Sequence, residues 1–461
     1  MRGGFAGEMT GAISRPGRGT PPPPAPTPRP DVLLYVVLAV VLTAVWRLHD
    51  LVPAVRALRP GILLTALGLA LIAADRDPAR RLSRLRSPIV VWLAVVGSLM
   101  LLGIPFSLDP DHSLRVFANA ILPSVLVGFL VAASVRNVKD IEWLALGTLV
   151  GGCFYTVVLH ATRGIDTETG RWGPLVHYDA NDLALMLVSM LPLTLFFVRR
   201  GNSGARRLFA AACFVFFAYS VVKTGSRGGL VGLVAVLGYL LLGYRAVPLR
   251  FRVAGAIAAA LLFVAGGQAL RTRAGSILRP TTDYNWQDET GRLALWRRGL
   301  SYVDDRPVLG LGLDSFRRAE AELSPFGRSR RMAGRGVPML VAHNMFIHVA
   351  AELGLPALIA FIALLVSTAR TLIGIRRRYD GTGSGDELAA LARALIASLI
   401  GFCVCGMFLS VPYFPYLQVL FGLTVALGAL ALEPAVGRRR ARVAARGAYG
   451  LAGDAPSRAV L

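Results

Sequence analysis

Blocks of uninterrupted apolar residues recur along most of this chain, among them VLLYVVLAVVLTAVW (32–46) and PIVVWLAVVGSLMLLGIPF (88–106). Such blocks suit a lipid bilayer, since crossing roughly 30 Å of hydrocarbon takes about 20 helical residues. The blocks are continuous and not alternating, which argues against a transmembrane β-barrel. The chain is 54% hydrophobic with a mean hydropathy of +0.57, above the roughly 45–50% apolar content of soluble globular proteins. The expected fold is therefore an all-α polytopic integral membrane protein.

Twelve spans are expected, near 32–48, 58–74, 88–106, 114–135, 141–160, 182–198, 208–223, 228–246, 252–269, 350–369, 389–410 and 413–432. Residues 1–30 contain PPPPAPTPRP and lack the apolar core of a signal peptide, so they read as a disordered, Pro-rich cytoplasmic arm. Spans one to nine then occupy 31–269. A polar loop covers 270–341, the last three spans lie within 342–432, and 433–461 form a basic tail.

Charge sets an orientation. The formal charge is +23, and only Lys139 and Lys223 among fifty basic residues are lysine. Arginines follow the second span (Arg80, Arg81, Arg84, Arg86), the sixth (Arg199, Arg200, Arg206, Arg207), the eighth (Arg245, Arg250, Arg252), the tenth (Arg376, Arg377, Arg378) and the twelfth (Arg438, Arg439, Arg440). All fall on the cytoplasmic side of a bacterial cell membrane if both termini are inside. The opposite side carries FSLDPDHS (106–113), with two acids and no Lys or Arg; Arg47, Arg56 and Arg59 are the exception there. Nucleic-acid binding is a poor account of the charge, because no soluble basic domain carries it. The cysteines 153, 213, 403 and 405 all lie in apolar runs and read as small buried residues, with no Cys–His spacing for zinc.

The loop 270–341 is unlike the other connections. It holds thirteen arginines against eight acids, a net +5, and would lie on the outer face, where a basic surface suits an anionic partner. Within it, GRLALWRRGLSYV (291–303) places Leu293, Trp296, Leu300 and Val303 at amphipathic-helix spacing, as expected of a helix on the membrane surface or over a cavity. PVLGLGLDSF (307–316) follows.

Three outer-face stretches carry candidate chemistry. KTGSRGGL (223–230) sets Arg227 at a helix start beside glycines that permit close backbone approach, and a guanidinium grips phosphate bidentately. GRWGPLVHYDANDLALML (170–187) clusters Asp179, Asn181 and Asp182 at a helix start, where capping accounts for at least one; Arg171 and His177 are further polar candidates. VAHNMFIHVAAELG (341–354) carries His343, Asn344 and His348. Two histidines five apart on a helix would point about 140° apart, and zinc pairs use i, i+3 or i+4 spacing. A neutral imidazole instead suits taking a proton from a hydroxyl.

In order, TGSRGG (224–229), TGRLALW (290–296), GLGLDSF (310–316) and HNMFIHVAAELGLPAL (343–358), preceded by NDLALML (181–187), resemble the O-antigen ligase and polymerase superfamily of bacterial membrane glycosyltransferases. Tyr178–Asp179–Ala180 departs from its pattern, in which a proline often precedes the asparagine. The resemblance implies about twelve helices with one large extracytoplasmic loop, and transfer of a glycan from a polyprenyl (undecaprenyl) diphosphate to an acceptor hydroxyl such as that of a lipid A–core oligosaccharide. It implies no cofactor and no metal. Arg227 and Arg292 would bind the diphosphate, His343 would be the base, and Arg297, Asn344 and Asn181 are weaker candidates. A polymerase shares the donor chemistry, and a ligase acting on protein stays open. A lipid-linked sugar flippase would show internal repeats and charges within its spans, which this sequence lacks.

Overall fold

The computed structural model describes residues 31–80, 82–162, 178–199, 201–243, 275, 284–338, 340–383 and 385–432. Among these the secondary structure is helical, with no strand. Eight helices are long and apolar enough to cross a membrane: α3 (Pro88–Phe106), α4 (Pro110–Ser134), α5 (Val138–Thr162), α6 (Ala180–Phe197), α7 (Gly204–Thr224), α12 (Met345–Tyr379), α13 (Asp386–Gly406) and α14 (Pro415–Leu432). Three shorter apolar helices, α1 (Val32–Ala44), α2 (Pro60–Ala74) and α8 (Arg227–Gly243), stand where spans were also expected. The expected ninth span, 252–269, lies outside the described residues, as do the Pro-rich arm, Arg171, His177 and the basic tail. The chain is an integral membrane protein.

Helix starts follow local chemistry. Proline opens α2, α3 and α4, where its missing N–H costs nothing. Asp109, Asp179, Ser203 and Asn344 each accept a backbone N–H at the starts of α4, α6, α7 and α12.

Contacts between connections show which of them share one end of the bundle. Tyr178 packs at a tilt against Phe414 with ring centroids 5.5 Å apart and donates its hydroxyl to the carbonyl of Val45. Leu108 N–H bonds the carbonyl of Leu311 at 2.8 Å, and His343 N–H bonds Ser410 Oγ at 2.9 Å. The connections α1–α2, α3–α4, α13–α14 and the segment before α12 therefore meet at one end. Arg47 and Arg56, the exceptions to the charge pattern, both pair there with the buried Asp50, at 2.5 and 3.6 Å. At the other end Arg80 donates to the carbonyl of Ser134, and Arg206 reaches Glu142 at 3.8 Å.

Residues 284–338 fold over the start of α12: after a single helical turn at Tyr284–Gln287 come three short helices, α9 (Arg292–Asp305), α10 (Phe316–Glu322) and α11 (Pro325–Met332). They have their own apolar cluster, built on Leu295, Tyr302, Val303, Leu311 and Phe316. The expected amphipathic face of α9 is thus corrected. Leu295, Gly299, Tyr302 and Val303 face inward while Leu300 is 53% exposed, and the helix packs on α12. Glu320, fully buried, is held there by Arg298 at 2.7 Å and by the Tyr302 hydroxyl at 2.9 Å.

The join between this cap and α12 follows from two residues. Pro356 has no N–H, so the carbonyl of Glu352, four residues earlier, loses its helical donor. Gly354 is non-helical (φ 82°, ψ 174°), a conformation essentially restricted to glycine. The freed groups pair with the loop: Leu311 N–H bonds Ala351 O at 2.9 Å, Gly312 N–H bonds Glu352 O at 2.8 Å, and Leu355 N–H bonds Pro307 O at 2.7 Å. The Glu352 carboxylate adds the N–H groups of Asp314 (2.9 Å) and Phe316 (3.1 Å), and also meets His348 Nε2 at 3.2 Å.

Two expectations change in detail. His343 precedes α12 and is not in a helix, so the angle between the two histidines is not set by helical geometry. Cys153, expected to be buried, is half-buried, and its sulfur lies 3.1 Å from that of the buried Cys213 across α5 and α7.

Replacing Gly354 by alanine forces an L-residue into this conformation and drives its Cβ into the Val308 carbonyl. The strain alone costs about 1–3 kcal/mol. We expect a clear drop in the melting temperature of the detergent-purified protein; an unchanged melting curve would show that the loop does not depend on the break.

Candidate active site

His343 sits between three anchors. Its own N–H is bound to Ser410 Oγ at 2.9 Å, the preceding carbonyl of Ala342 accepts the Trp296 indole N–H at 3.0 Å, and Asn344 begins α12. The backbone at His343 is left-handed (φ 48°). Such a conformation is uncommon for a non-glycine residue and persists only where the surroundings impose it.

Burial and the nearby Arg292 guanidinium push the His343 imidazole down to about 4; Asp179 opposes the shift, while Arg317 and His348 add to it. Near neutral pH the ring is therefore uncharged, and a ring nitrogen is free to accept a proton. The groups that act on it come from the α6 start, from α9 and from α10.

Arg292 is the first residue of α9, and its guanidinium carbon lies 5.9 Å from the centre of the Phe408 ring. Phe408 also meets the helix that begins with Arg227, since a Cβ on Gly228 would sit 3.1 Å from Phe408 Cβ. The segments that carry Arg227 and Arg292 thus both approach Phe408, and both arginines are half-buried. The glycines of TGSRGG act differently from expectation. Gly228 faces Phe408, and a Cβ on Gly229 would come within 2.5 Å of Ala184 Cβ on α6. They admit neighbouring helices. Ser226 Oγ accepts the Gly229 N–H at 3.2 Å and so caps α8.

The remaining sequence candidates divide. Asn344 Oδ1 accepts the N–H groups of Phe346 and Ile347 at 2.9 and 3.1 Å, which makes it a helix cap. Asn181 is tied to the α6 cap, with its N–H on Asp179 Oδ1 at 2.7 Å. Arg297 is five residues beyond Arg292, about 140° around α9, and is exposed. The structure therefore brings His343 and Arg292 together and the segment of Arg227 to the same Phe408, while Arg297 points away from Arg292 into the open.

Sequence reasoning overlooked Phe408, Ser410 and Arg317, which lay outside its candidate motifs or were counted only as loop charge. Arg317 sits one residue past Phe316, whose N–H is bound by Glu352, and lies 4.0 Å from Asp314. Asp314 in turn meets His112 Nε2 at 3.0 Å, and Arg318 pairs with Asp109, so FSLDPDHS clasps the rim of the site. No group of three or more His, Cys, Asp or Glu comes together as a metal cluster among the described residues.

An arginine beside an uncharged imidazole, with a second arginine on a neighbouring segment, suits an anionic group leaving an atom that a hydroxyl attacks. A model of the O-antigen ligase family matches residues 211–362, an interval that contains Arg227, Arg292 and His343. No curated protein matches the chain.

The acid limb of kcat/KM reports groups of the free enzyme. With His343 as base we expect it near pH 4, and well below the ordinary histidine range. Arg292→Gln removes a cation that disfavours protonation, so its acid limb should move to higher pH. A wild-type limb near 6.5 that Arg292→Gln leaves in place would contradict this arrangement.

Proposed function

We propose, from the O-antigen ligase domain that this chain carries over residues 211–362, that it is a membrane glycosyltransferase of surface polysaccharide biosynthesis. It moves a glycan from a polyprenyl diphosphate carrier to an acceptor hydroxyl, with a lipid A–core-like oligosaccharide as the ligase acceptor. The observation that carries the reading is the neutral His343, held in a strained backbone conformation beside Arg292.

The acceptor oxygen attacks the anomeric carbon while His343 takes the hydroxyl proton. The bond from that carbon to the diphosphate oxygen breaks, and the diphosphate leaves with the electron pair. Arg227 and Arg292 meet the charge that develops on it, work that needs guanidinium geometry and no metal. Attack opposite the leaving group inverts the anomeric centre.

The orientation follows the charge pattern. Arg80, Arg136, Arg199 and Arg206 border the end opposite the site, which is the cytoplasmic end under the positive-inside rule. The site then faces the outside of the inner membrane, both termini are cytoplasmic, and twelve spans with an extracytoplasmic loop at 270–341 complete the topology.

Arg227→Lys keeps the charge but loses the bidentate fork, so we expect transfer to fall at least about tenfold, roughly the 1.4 kcal/mol that a weakened charge-assisted contact costs. Full activity of this variant, or activity lost to EDTA and restored by zinc, would contradict the arginine-based mechanism. In cells carrying His343→Ala, long polymer accumulating on the carrier identifies a ligase. Single repeats accumulating there identify a polymerase. Wild-type glycan in both pools would remove His343 from the chemistry.

A further inference from the structure

Cys153 on α5 and Cys213 on α7 bring their sulfurs within 3.1 Å of each other. The helices hold this contact in register. Seven residues further along both of them, His160 Nε2 meets Ser220 Oγ at 3.2 Å, and the His160 ring lies 5.3 Å from that of Phe216. Beside the sulfurs, a Cβ on Gly152 would come within 3.1 Å of the Phe217 ring. The two pairs share one sequence offset, so α5 and α7 run side by side in the same direction. Thiols fixed in contact by their helices need little side-chain movement to bond. Cys403 and Cys405 differ. They stand two apart on α13, about 200° around the helix, and Cys405 Sγ meets the Gly228 carbonyl at 3.6 Å.

The two sulfurs differ in reach. Cys213 is 2% exposed, while Cys153 is half-buried on a flank of α5 where Val150, Phe154 and Val157 are about half exposed. That helix is a membrane span, so the flank faces lipid. Both cysteines stand nine or more residues from either end of their helices, which is at least about 13 Å at a rise of 1.5 Å per residue. A reagent must therefore arrive through hydrocarbon, and it meets Cys153 first. Water-borne reductants such as glutathione cannot follow it there, so a bond made at this depth persists.

We infer that Cys153 and Cys213 are a site of oxidative modification, where a lipid-soluble hydroperoxide turns the two thiols into a disulfide joining α5 to α7. The Cys153 sulfur attacks the outer peroxide oxygen. The O–O bond breaks, and the thiol proton leaves with the alcohol. Cys153 is then a sulfenic acid, the usual precursor of a disulfide where a second thiol is at hand. The Cys213 sulfur attacks the Cys153 sulfur, the S–O bond breaks, and the Cys213 proton leaves with the hydroxide as water. Two thiols and one hydroperoxide give one disulfide, one alcohol and one water. The bond fixes α7, which leads through Gly225 and Ser226 into Arg227. Its formation does not depend on the chemistry at His343.

The test uses the full chain in phosphatidylethanolamine nanodiscs, reduced, freed of reductant and treated with cumene hydroperoxide. Remaining thiols are blocked under denaturing conditions, and the 153–213 linkage is quantified by mass spectrometry with and without reduction. We expect the linkage to rise at least about tenfold while Cys403 and Cys405 stay thiols. Oxidised protein should melt roughly 4 °C or more above the reduced form, because the bond restricts the unfolded chain. Cys213→Ser should abolish that difference and leave a sulfenic acid on Cys153 that dimedone traps. Cys153→Ser should give no adduct on Cys213.

Cys153 and Cys213 remaining thiols, oxidation spread equally over the four cysteines, or a dimedone adduct on Cys213 in place of Cys153 would overturn the assignment. The wild-type linkage alone decides between a reactive pair and two space-filling residues if a serine variant is not monodisperse.

Discussion

The site depends on one interruption of hydrogen bonding. A helix that ran unbroken through residues 345–379 would consume its own carbonyls and offer the cap nothing but side chains. Pro356 removes one donor and Gly354 turns the chain, so Ala351 and Glu352 present carbonyls that the backbone of Leu311 and Gly312 takes up. The cap is thereby joined to the membrane helix by main-chain bonds, which have little freedom to slide. Glu352 extends the joint with its carboxylate, and the segment it holds leads directly into Arg317. His343 stands eleven positions before Gly354, at the other end of the same short helical piece.

Close packing then decides where charge ends up. Glycines in α8 let it approach α6 and the Phe408 turn, which carries Arg227 toward the ring that Arg292 also approaches. The two arginines come from segments 65 positions apart, and no local rule places them together. Trp296, half-buried on α9, holds with its indole N–H the carbonyl before His343. The low proton affinity of His343 is then a consequence of place. Burial removes water from the ring, and Arg292 disfavours a second positive charge.

The same economy appears in the charges at the site end. Arg47 and Arg56 interrupt an otherwise consistent distribution of arginine, yet both engage the buried Asp50. Asp109, Asp314 and His112 tie the α3–α4 connection to the cap through ion pairs exposed to water, where each pair contributes little to stability. Main-chain bonds from Leu108 to Leu311, and a Ser113 hydroxyl on the carbonyl of Leu313, do more to define that contact.

Much was legible in the sequence because apolar length and helix starts are local properties. The helical membrane class, eight of the spans, three shorter apolar helices where spans were expected, and the arginine-rich turns all follow from runs of residues and their neighbours. Arg227 and His343 were readable as candidates because each residue type has its own chemistry, and Arg292 through the resemblance of TGRLALW to a family motif. The buried face of α9 was misjudged: Leu300 and Leu295 look alike to a periodicity argument, and only the position of α12 selects between them. Asn344 looked catalytic beside His343, while its oxygen is spent on the cap. Phe408 and Ser410 had no motif to announce them. The sequence by itself determined the solvent each helix requires and the residues able to do chemistry. Tertiary structure alone decided which of them meet, because proximity across distant segments depends on how side chains fill space between helices.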